Sequence, residues 1–258
     1  MDMDYGKYKQ MLLENPVAQA YRDFIRKNNE KIDVLNDDAL YGGFSRHLLK
    51  FQAVKSYTRD SLRDLYAEFI VDVVASVERA EISAEHVKSI PFITERSGGN
   101  KKMLMVGTMA NGVEVIQMLR DFNNLYVTSM DPTQLLPEKI FRGRGRIQEA
   151  EFWSDKRKPG QGTDITNYDI VFANRCCPVT EDIIFQCEEM NKPYYLPLCT
   201  DEQQCNRDAI DGTQFENLDE RYAYFQKEYG TKLVKLNEEI VATNMKDLPK
   251  ERFTEITN

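Results

Sequence analysis

Apolar residues recur every three to four positions from residue 1 to about residue 90, which predicts helices in this part of the chain. The first is expected to begin at Asn15 and Pro16, a capping residue followed by a proline suited to the first helical turn. A second is expected over residues 45–57, and a third after Thr58. The third carries a wide apolar face, made of Leu62, Leu65, Tyr66, Phe69, Ile70, Val73, Val74 and Val77. Such a face needs a partner surface, either the rest of the chain or a second copy in a homodimer.

Pro91 and the polar run at residues 96–102 form the expected linker. After this linker, short apolar segments begin to alternate with helical ones. This alternation favours strands covered on both faces and joined by helices. The last two segments alternate like a pair of strands joined at Glu238 and Glu239. The predicted strands are 103–106, 125–130, 147–153, 168–173, 193–198, 232–237 and 240–244, and the predicted helices are 111–122, 178–190 and 215–229.

The order of these elements predicts the α/β class, with a doubly wound, mainly parallel sheet that ends in an antiparallel hairpin. A helical N-terminal region would precede it. We therefore expect a helical region over residues 1–95 and a Rossmann-like domain over residues 96–258. Gly230 follows the last predicted helix and is its expected stop.

The composition disfavours membrane-spanning, secreted and generally nucleic-acid-binding proteins. The chain is 41% hydrophobic and 29% charged, as in soluble proteins, and its apolar runs are too short to span a bilayer. The start of the sequence is acidic and lacks the apolar stretch of a signal peptide. The five cysteines are an odd number and all fall after residue 175, which favours a reducing, cytoplasmic setting over a disulfide framework. A net charge of −8 disfavours bulk attraction to nucleic acid.

The first predicted strand of the sheet ends at a turn that can approach a ligand. Gly107 follows a buried strand and carries no Cβ, while Thr108 and Met109 keep the turn compact. Asp131 ends the next strand, 24 positions after Gly107. A carboxylate at that spacing can accept both hydroxyl hydrogens of a ribose. The two residues together predict a nucleoside-type ligand, although each alone also fits an ordinary turn.

A second group of candidate residues follows the strand predicted at 168–173. Asn174 can hydrogen-bond a substrate or a cofactor amine, and Arg175 can hold a carboxylate or phosphate. Cys177 precedes a helix, where a lowered pKa would make it a nucleophile. The alternative is that the cysteines only fill small spaces in the core. Cys176, Cys177, Cys199 and Cys205 do not match a close-paired zinc motif, so no metal is predicted.

A basic cluster between residues 142 and 158 can bind phosphate groups. Few aromatic residues accompany it, so a solvated loop is the other interpretation and a nucleic-acid partner is not favoured. The two histidines, His47 and His86, lie in the helical region and are expected to be solvated or hydrogen-bonded rather than catalytic. No catalytic residue is predicted. The basic cluster between residues 142 and 158 consists of Arg142, Arg144, Arg146, Lys156, Arg157 and Lys158.

The chain resembles the class I S-adenosylmethionine-dependent methyltransferases over residues 100–245. The run from Met103 to Gly107 resembles their first motif, Met130 and Asp131 their acid-ended second strand, and residues 168–174 their fourth-strand motif. The resemblance implies S-adenosylmethionine as cofactor. The turn of Gly107, Thr108 and Met109 would face its methionine part, and Asp131 would bind its ribose. Glu149 or Glu151, after the third strand, would lie near the adenine, and Asn174 near the transferred methyl group.

We therefore expect a methyltransferase that acts on a small-molecule acceptor. Met105 stands where the family usually has an acid, and the usual glycines are reduced to Gly107 and Gly112, so a non-catalytic nucleoside-binding protein is the alternative. An RNA methyltransferase guided by the basic cluster is a third. The helical N-terminal region also resembles nicotianamine-synthase-type enzymes, which transfer aminobutyrate from the same cofactor.

Overall fold

The computed structural model describes residues 79–94, 99–108, 113–132, 143–155, 158, 161–199 and 208–256. The three helices predicted before residue 79 and the candidate residue Met109 lie outside the described residues. The division into a region 1–95 and a domain 96–258 therefore stays a prediction. No helix in the described ranges has the length and apolar character needed to cross a membrane.

Helices and strands are interspersed up to α5, and only strands follow α5 among the described elements. The helix α1 covers residues 79–88 of the described chain. The others are α2 Pro91–Thr94, β1 Lys101–Val106, α3 Val113–Asp121, β2 Leu125–Met130, β3 Gly145–Gln148, β4 Ile170–Phe172, a 3-10 turn Cys177–Val179, α4 Thr180–Glu189, β5 Tyr194–Pro197, α5 Leu218–Tyr229, β6 Lys232–Leu236, β7 Glu239–Thr243 and β8 Phe253–Glu255.

The strands form one sheet in the order β3-β2-β1-β4-β5-β7-β6-β8. The first five pair in parallel, whereas β7, β6 and β8 pair antiparallel to their neighbours. The connection changes direction between β1 and β4, and such a switch point opens a crevice at the carboxyl ends of the strands. The predicted fold class, a doubly wound and mainly parallel sheet closed by an antiparallel hairpin, is confirmed.

Both faces of the sheet are covered, which explains the unbroken apolar runs of its central strands. Met103 and Met105 of β1 pack with Val115 and Met118 of α3 in one core cluster. Alternate residues of the same strand, including Leu104, belong to a second cluster on the opposite face. Successive side chains of a strand point to opposite faces, so one short strand contributes to both clusters.

The helix α5 begins and ends at residues whose chemistry stops a helix. The side chain of Asn217 accepts a hydrogen bond from the Glu220 N–H at 2.9 Å, which satisfies one of the unpaired amides of the first turn. Gly230 ends the helix in the left-handed conformation with φ of 66°. The predicted stop at Gly230 is confirmed.

The third strand differs from its prediction at 147–153, because β3 runs over Gly145–Gln148. Its partner explains the shift: β2 ends at Met130, which pairs with Gln148, so nothing remains for later residues to pair with. Phe152 is instead buried from a loop, and its apolar side chain imitates part of a strand in the sequence.

Three smaller boundaries also differ from the sequence-based prediction. Pro91 begins the short helix α2 instead of a linker. The turn between β6 and β7 lies at Asn237 and Glu238, one residue earlier than expected, because Asn237 adopts a left-handed φ of 56° that asparagine tolerates. The edge strand β8 is absent from the prediction; its three residues are too few to give a period.

Candidate functional site

The carboxyl ends of β1, β2, β3 and β4 meet at one edge of the sheet. The Gly107 N–H donates to the Met130 carbonyl at 2.9 Å, and the Asp131 N–H donates to the Gln148 carbonyl at 3.2 Å. Gly107, Asp131 and Glu149 therefore follow three neighbouring strands whose ends are hydrogen-bonded to one another. Asn174 follows β4, the neighbour of β1 on the other side. Four predicted site residues thus share the edge where the crevice opens.

Gly107 is required at its position for two independent reasons. Its φ is +67°, a conformation that side chains with a Cβ disfavour. A Cβ built there would also lie 2.4 Å from the Cys176 sulfur. A side chain of the same protein therefore approaches Gly107 closely, and the predicted approach of a ligand stays a prediction.

Thr108 is buried two residues beyond the end of β1. It is 1% exposed, and its hydroxyl oxygen lies 2.6 Å from that of Ser129, which is fully buried in β2. This hydroxyl pair joins the ends of β1 and β2 and fixes the turn that begins at Gly107. The predicted cofactor contact of Thr108 stays a prediction.

Asn174 presents an unsatisfied hydrogen-bond acceptor. The residue is 1% exposed, and its Nδ2 donates to the Ser83 hydroxyl at 2.8 Å. Ser83 donates its own hydrogen to the Glu114 carboxylate, so it can only accept from Asn174. The Asn174 Oδ1 is left without a partner among the described residues. A buried acceptor in this state favours a ligand that brings an N–H or O–H donor.

Arg79 of α1 reaches the same edge from outside the sheet. Its Nη2 donates to the Gly107 carbonyl at 2.8 Å and also to the Asn174 carbonyl. Its Nε lies 3.3 Å from Glu114 Oε2, close enough for an ion pair although not aligned as a hydrogen bond. Burial raises the pKa of Glu114, while Arg79 and Ser83 act in the opposite direction. A guanidinium therefore sits between the ends of β1 and β4.

Arg79 and Ser83 were not predicted as site residues, because they belong to a helix that lies far from the motifs in sequence. A signal is present: Arg79, Ser83 and His86 are spaced by four and three positions, which places them on one face of α1. Ala80, Ala84 and Val87 make an apolar stripe beside them. A polar stripe next to an apolar one indicates a helix face that packs against polar groups of the protein itself.

Glu239 at the start of β7 joins α1 to the loop after β4. One oxygen lies 2.5 Å from His86 Nε2, and the other 2.5 Å from Arg175 Nη2. His86 is 2% exposed and its Nδ1 lies 3.0 Å from the Tyr195 hydroxyl, as expected of a hydrogen-bonded histidine. The guanidinium of Arg175, predicted to hold a ligand carboxylate, pairs in this structure with a carboxylate of the chain. Arg175 also has a left-handed φ of 51°.

The hydrogen bond from His86, followed by the charges of His86 and Arg175, lowers the pKa of Glu239, against an opposing effect of burial. A carboxyl whose folded-state pKa is depressed stabilises the fold above its unfolded pKa, and that contribution is lost as the pH falls through the folded value. We expect Glu239→Gln to lower the free energy of unfolding by about 1.5 kcal/mol at pH 7 and by much less at pH 3.5. Urea unfolding at both pH values measures this, with Glu238→Gln, exposed in the adjacent turn, as the control. An equal loss at both pH values would contradict the assignment.

Of the two adjacent cysteines at this edge, Cys177 is buried and Cys176 is half-buried. Burial raises the pKa of Cys176 to about 12, so its thiol is protonated at neutral pH. Cys177 is buried at the start of the 3-10 turn, and its carbonyl accepts from Arg221 at 3.1 Å. Its predicted role as a nucleophile stays a prediction. No group of three or more potential metal ligands occurs in the described ranges, which do not include Cys205.

Two arginines of the basic cluster have structural partners. Arg144 donates to the Phe122 carbonyl at 3.1 Å and to the Leu119 carbonyl, at the end of α3. Arg146 donates to the Thr128 hydroxyl at 3.1 Å and to the Tyr168 hydroxyl at 2.5 Å. Lys158 is exposed, and Arg142, Lys156 and Arg157 lie outside the described residues. These contacts disfavour a phosphate-binding surface centred on Arg144 and Arg146.

Comparison with known proteins finds solved structures of similar fold but no relative by sequence. No family model matches the chain. No curated protein matches it either. Among solved structures, an O-methyltransferase family protein from Burkholderia thailandensis is 12% identical with a TM-score of 0.45, covering 79% of this chain and 71% of that one. The methyltransferase CalO1 of calicheamicin biosynthesis, solved with S-adenosylhomocysteine bound, is 14% identical with a TM-score of 0.38, covering 80% and 68%.

A precorrin-6y C5,15-methyltransferase from Geobacter metallireducens is 14% identical with a TM-score of 0.37, covering 64% of this chain and 88% of that one. Identities and TM-scores of this size say nothing about the substrate of this chain. The strand order and the antiparallel end of its own sheet carry the conclusion. The chain has the Rossmann-like fold of the class I methyltransferases.

Proposed function

We propose that the chain binds S-adenosylmethionine at the carboxyl ends of β1 to β4 and transfers its methyl group to a small-molecule acceptor. The observation that carries this proposal is the buried Asn174 Oδ1, which lacks a partner among the described residues beside the Gly107 turn. Asp131 and Glu149 stand at the ends of the two strands that follow outward from β1.

The residues at this edge fit the parts of that cofactor in turn. The Gly107 turn lets a ligand approach the main chain closely. The Asp131 carboxylate can accept the ribose hydroxyls. Glu149, exposed after β3, can accept from the adenine amino group. Asn174 Oδ1 can accept from the ammonium group of the methionyl part.

The bound cofactor would supply a methyl group on a positively charged sulfur. The contribution of the protein would then be to hold the acceptor in line with that methyl group and to exclude water. The loop of Asn174, Arg175 and Cys177 lies at the end of β4, on the side of β1 opposite to Asp131. We place the acceptor there, with Arg175 positioned to hold an anionic acceptor when it leaves Glu239.

Replacing Asp131 by Asn is expected to weaken binding of S-adenosylhomocysteine about 100-fold, because the amide loses the charge that strengthens both hydrogen bonds to the ribose. Calorimetry with the purified chain measures the affinity. Asp121→Asn, at the exposed end of α3, is the matched control and should bind as the parent does. Absence of binding to the parent protein would overturn the proposed function.

A second candidate function is a nucleoside-binding protein without transferase activity. The position of Arg79 favours it, because the guanidinium holds the Gly107 and Asn174 carbonyls. Incubation of the protein with a pool of small molecules and methyl-labelled cofactor separates the two functions. Label in an acceptor supports the transferase, whereas tight binding with no transfer supports the binding protein.

A further inference from the structure

Carbonyl oxygens at the ends of β1 and β4 face one cation, which is the guanidinium of Arg79. The carbonyl oxygens of Gly107 and Asn174 both accept from the same nitrogen of Arg79. They therefore converge on one point in the crevice. The unpartnered Asn174 Oδ1 belongs to the same residue and is likewise an acceptor.

Acceptors that converge in this way select a group with several N–H donors. The guanidinium of arginine is such a group, and a primary ammonium with three donors is another. The methionyl part of the proposed cofactor carries an α-ammonium. It would face the same carbonyl oxygens, and two cations cannot occupy one point at the edge of a protein core.

Arg79 is held firmly in this position. Its guanidinium pairs with Glu114, which is 2% exposed, while its own side chain is 20% exposed. The same helix is held two turns later, where His86 contacts Tyr195 and Glu239. Arg79 therefore has a buried counter-ion and belongs to a helix that is itself hydrogen-bonded to the sheet. It is part of the site and not a surface side chain that happens to fold inward.

We propose that Arg79 is an internal competitor for the ammonium group of the ligand; this inference rests on the proposed function. While Arg79 is in place, the site recognises the nucleoside half of an adenosine thioether and gains little from an amino-acid tail. The methionyl ammonium binds at the ends of β1 and β4 only when the guanidinium leaves them. Arg79 is thus a specificity-determining residue.

The test compares two adenosine thioethers by calorimetry: S-adenosylhomocysteine, which has the ammonium, and 5′-methylthioadenosine, which lacks it. In the parent protein we expect the two affinities to agree within about threefold. In Arg79→Met combined with Glu114→Gln, the first should bind about tenfold or more tightly than the second, the effect of about one charge-assisted hydrogen bond. Removing the charge of Glu114 together with that of Arg79 avoids an unpaired buried carboxylate.

Two further variants make the comparison specific. Glu114→Gln alone keeps the Arg79 charge but removes its counter-ion, so the ratio of affinities should lie between those of the parent and the double variant. Arg252→Met removes another arginine that faces α1, where its Nη2 lies 3.9 Å from Glu85, and should keep the affinities nearly equal. A ratio that stays unchanged on removal of Arg79 would overturn the inference.

The failures of the two proposals are distinguishable. If neither thioether binds any variant, the proposed function itself is wrong and the inference falls with it. If both bind the parent but S-adenosylhomocysteine is preferred more than about threefold, the nucleoside site stands and the role of Arg79 is refuted. That last measurement needs only the parent protein, so it decides the matter even if the double variant does not fold.

Discussion

Arg79→Met is expected to lower the free energy of unfolding by about 3–5 kcal/mol at pH 8, the range found when one partner of a buried ion pair is removed. The physical reason is Glu114, whose side chain is 2% exposed and which, among the described residues, would keep only the hydrogen bond from Ser83. Urea unfolding of parent and variant measures the difference.

The loss should depend on pH in a defined direction. Burial already raises the pKa of Glu114, and removal of the Arg79 charge raises it further. A carboxyl with a raised folded-state pKa disfavours the fold only when it must ionise, so its unfavourable effect begins near the unfolded pKa and grows as the pH rises. The difference between parent and variant should therefore be small near pH 4.5 and large at pH 8. A difference independent of pH, or one that Glu114→Gln fails to reduce, would contradict this account.

Gly107→Ala is expected to lower the free energy of unfolding by about 2–4 kcal/mol. About 1–2 kcal/mol comes from placing a Cβ on a residue with φ of +67°, and the rest from the collision with the Cys176 sulfur, 2.4 Å from the new atom. The same collision would move the turn from which a ligand is approached, so affinity for adenosine compounds should fall as well. Thermal or urea unfolding measures the first effect and calorimetry the second.

A matched glycine separates the two contributions. Gly99 has the same φ of +67°, and no atom of the described residues lies within 4 Å of the position that a Cβ would take there. Gly99→Ala should therefore show the conformational effect alone. Cys176→Gly should relieve part of the Gly107→Ala loss, because it removes the atom that collides. Equal losses at Gly99 and Gly107, or no coupling between Gly107 and Cys176, would refute the predicted contact.

Much of the sheet could be predicted because its central strands are buried on both faces and so appear as unbroken apolar runs. The run that ends at Val106, and the acid that follows Met130, mark strand ends that local sequence alone reveals. β3 and β8 were misplaced or missed because short edge strands are defined by their partners. Phe152 made a loop resemble a strand, since burial of one large side chain imitates half of a strand's alternation.

The candidate site was only half predictable for a related reason. Gly107, Asp131, Glu149 and Asn174 lie at strand ends, and strand order brings strand ends together whatever the loops contain. The contact of Arg79 with Asn174 spans 95 positions and depends on how α1 packs against the sheet. Periodicity identifies the polar face of such a helix. It does not tell which carbonyl oxygens that face will meet.

The two strands that border the sheet have a consequence for self-association. β3 has four residues and β8 three, and each presents a charged side chain, Arg146 on β3 and Glu255 on β8. Short, charged borders are poor templates for another chain, whereas β6, with the buried Leu233 and Val234, would be a good one. β8 lies along β6 and covers its backbone. The segment around Phe253 thus keeps the backbone of β6 from pairing with a strand of another chain.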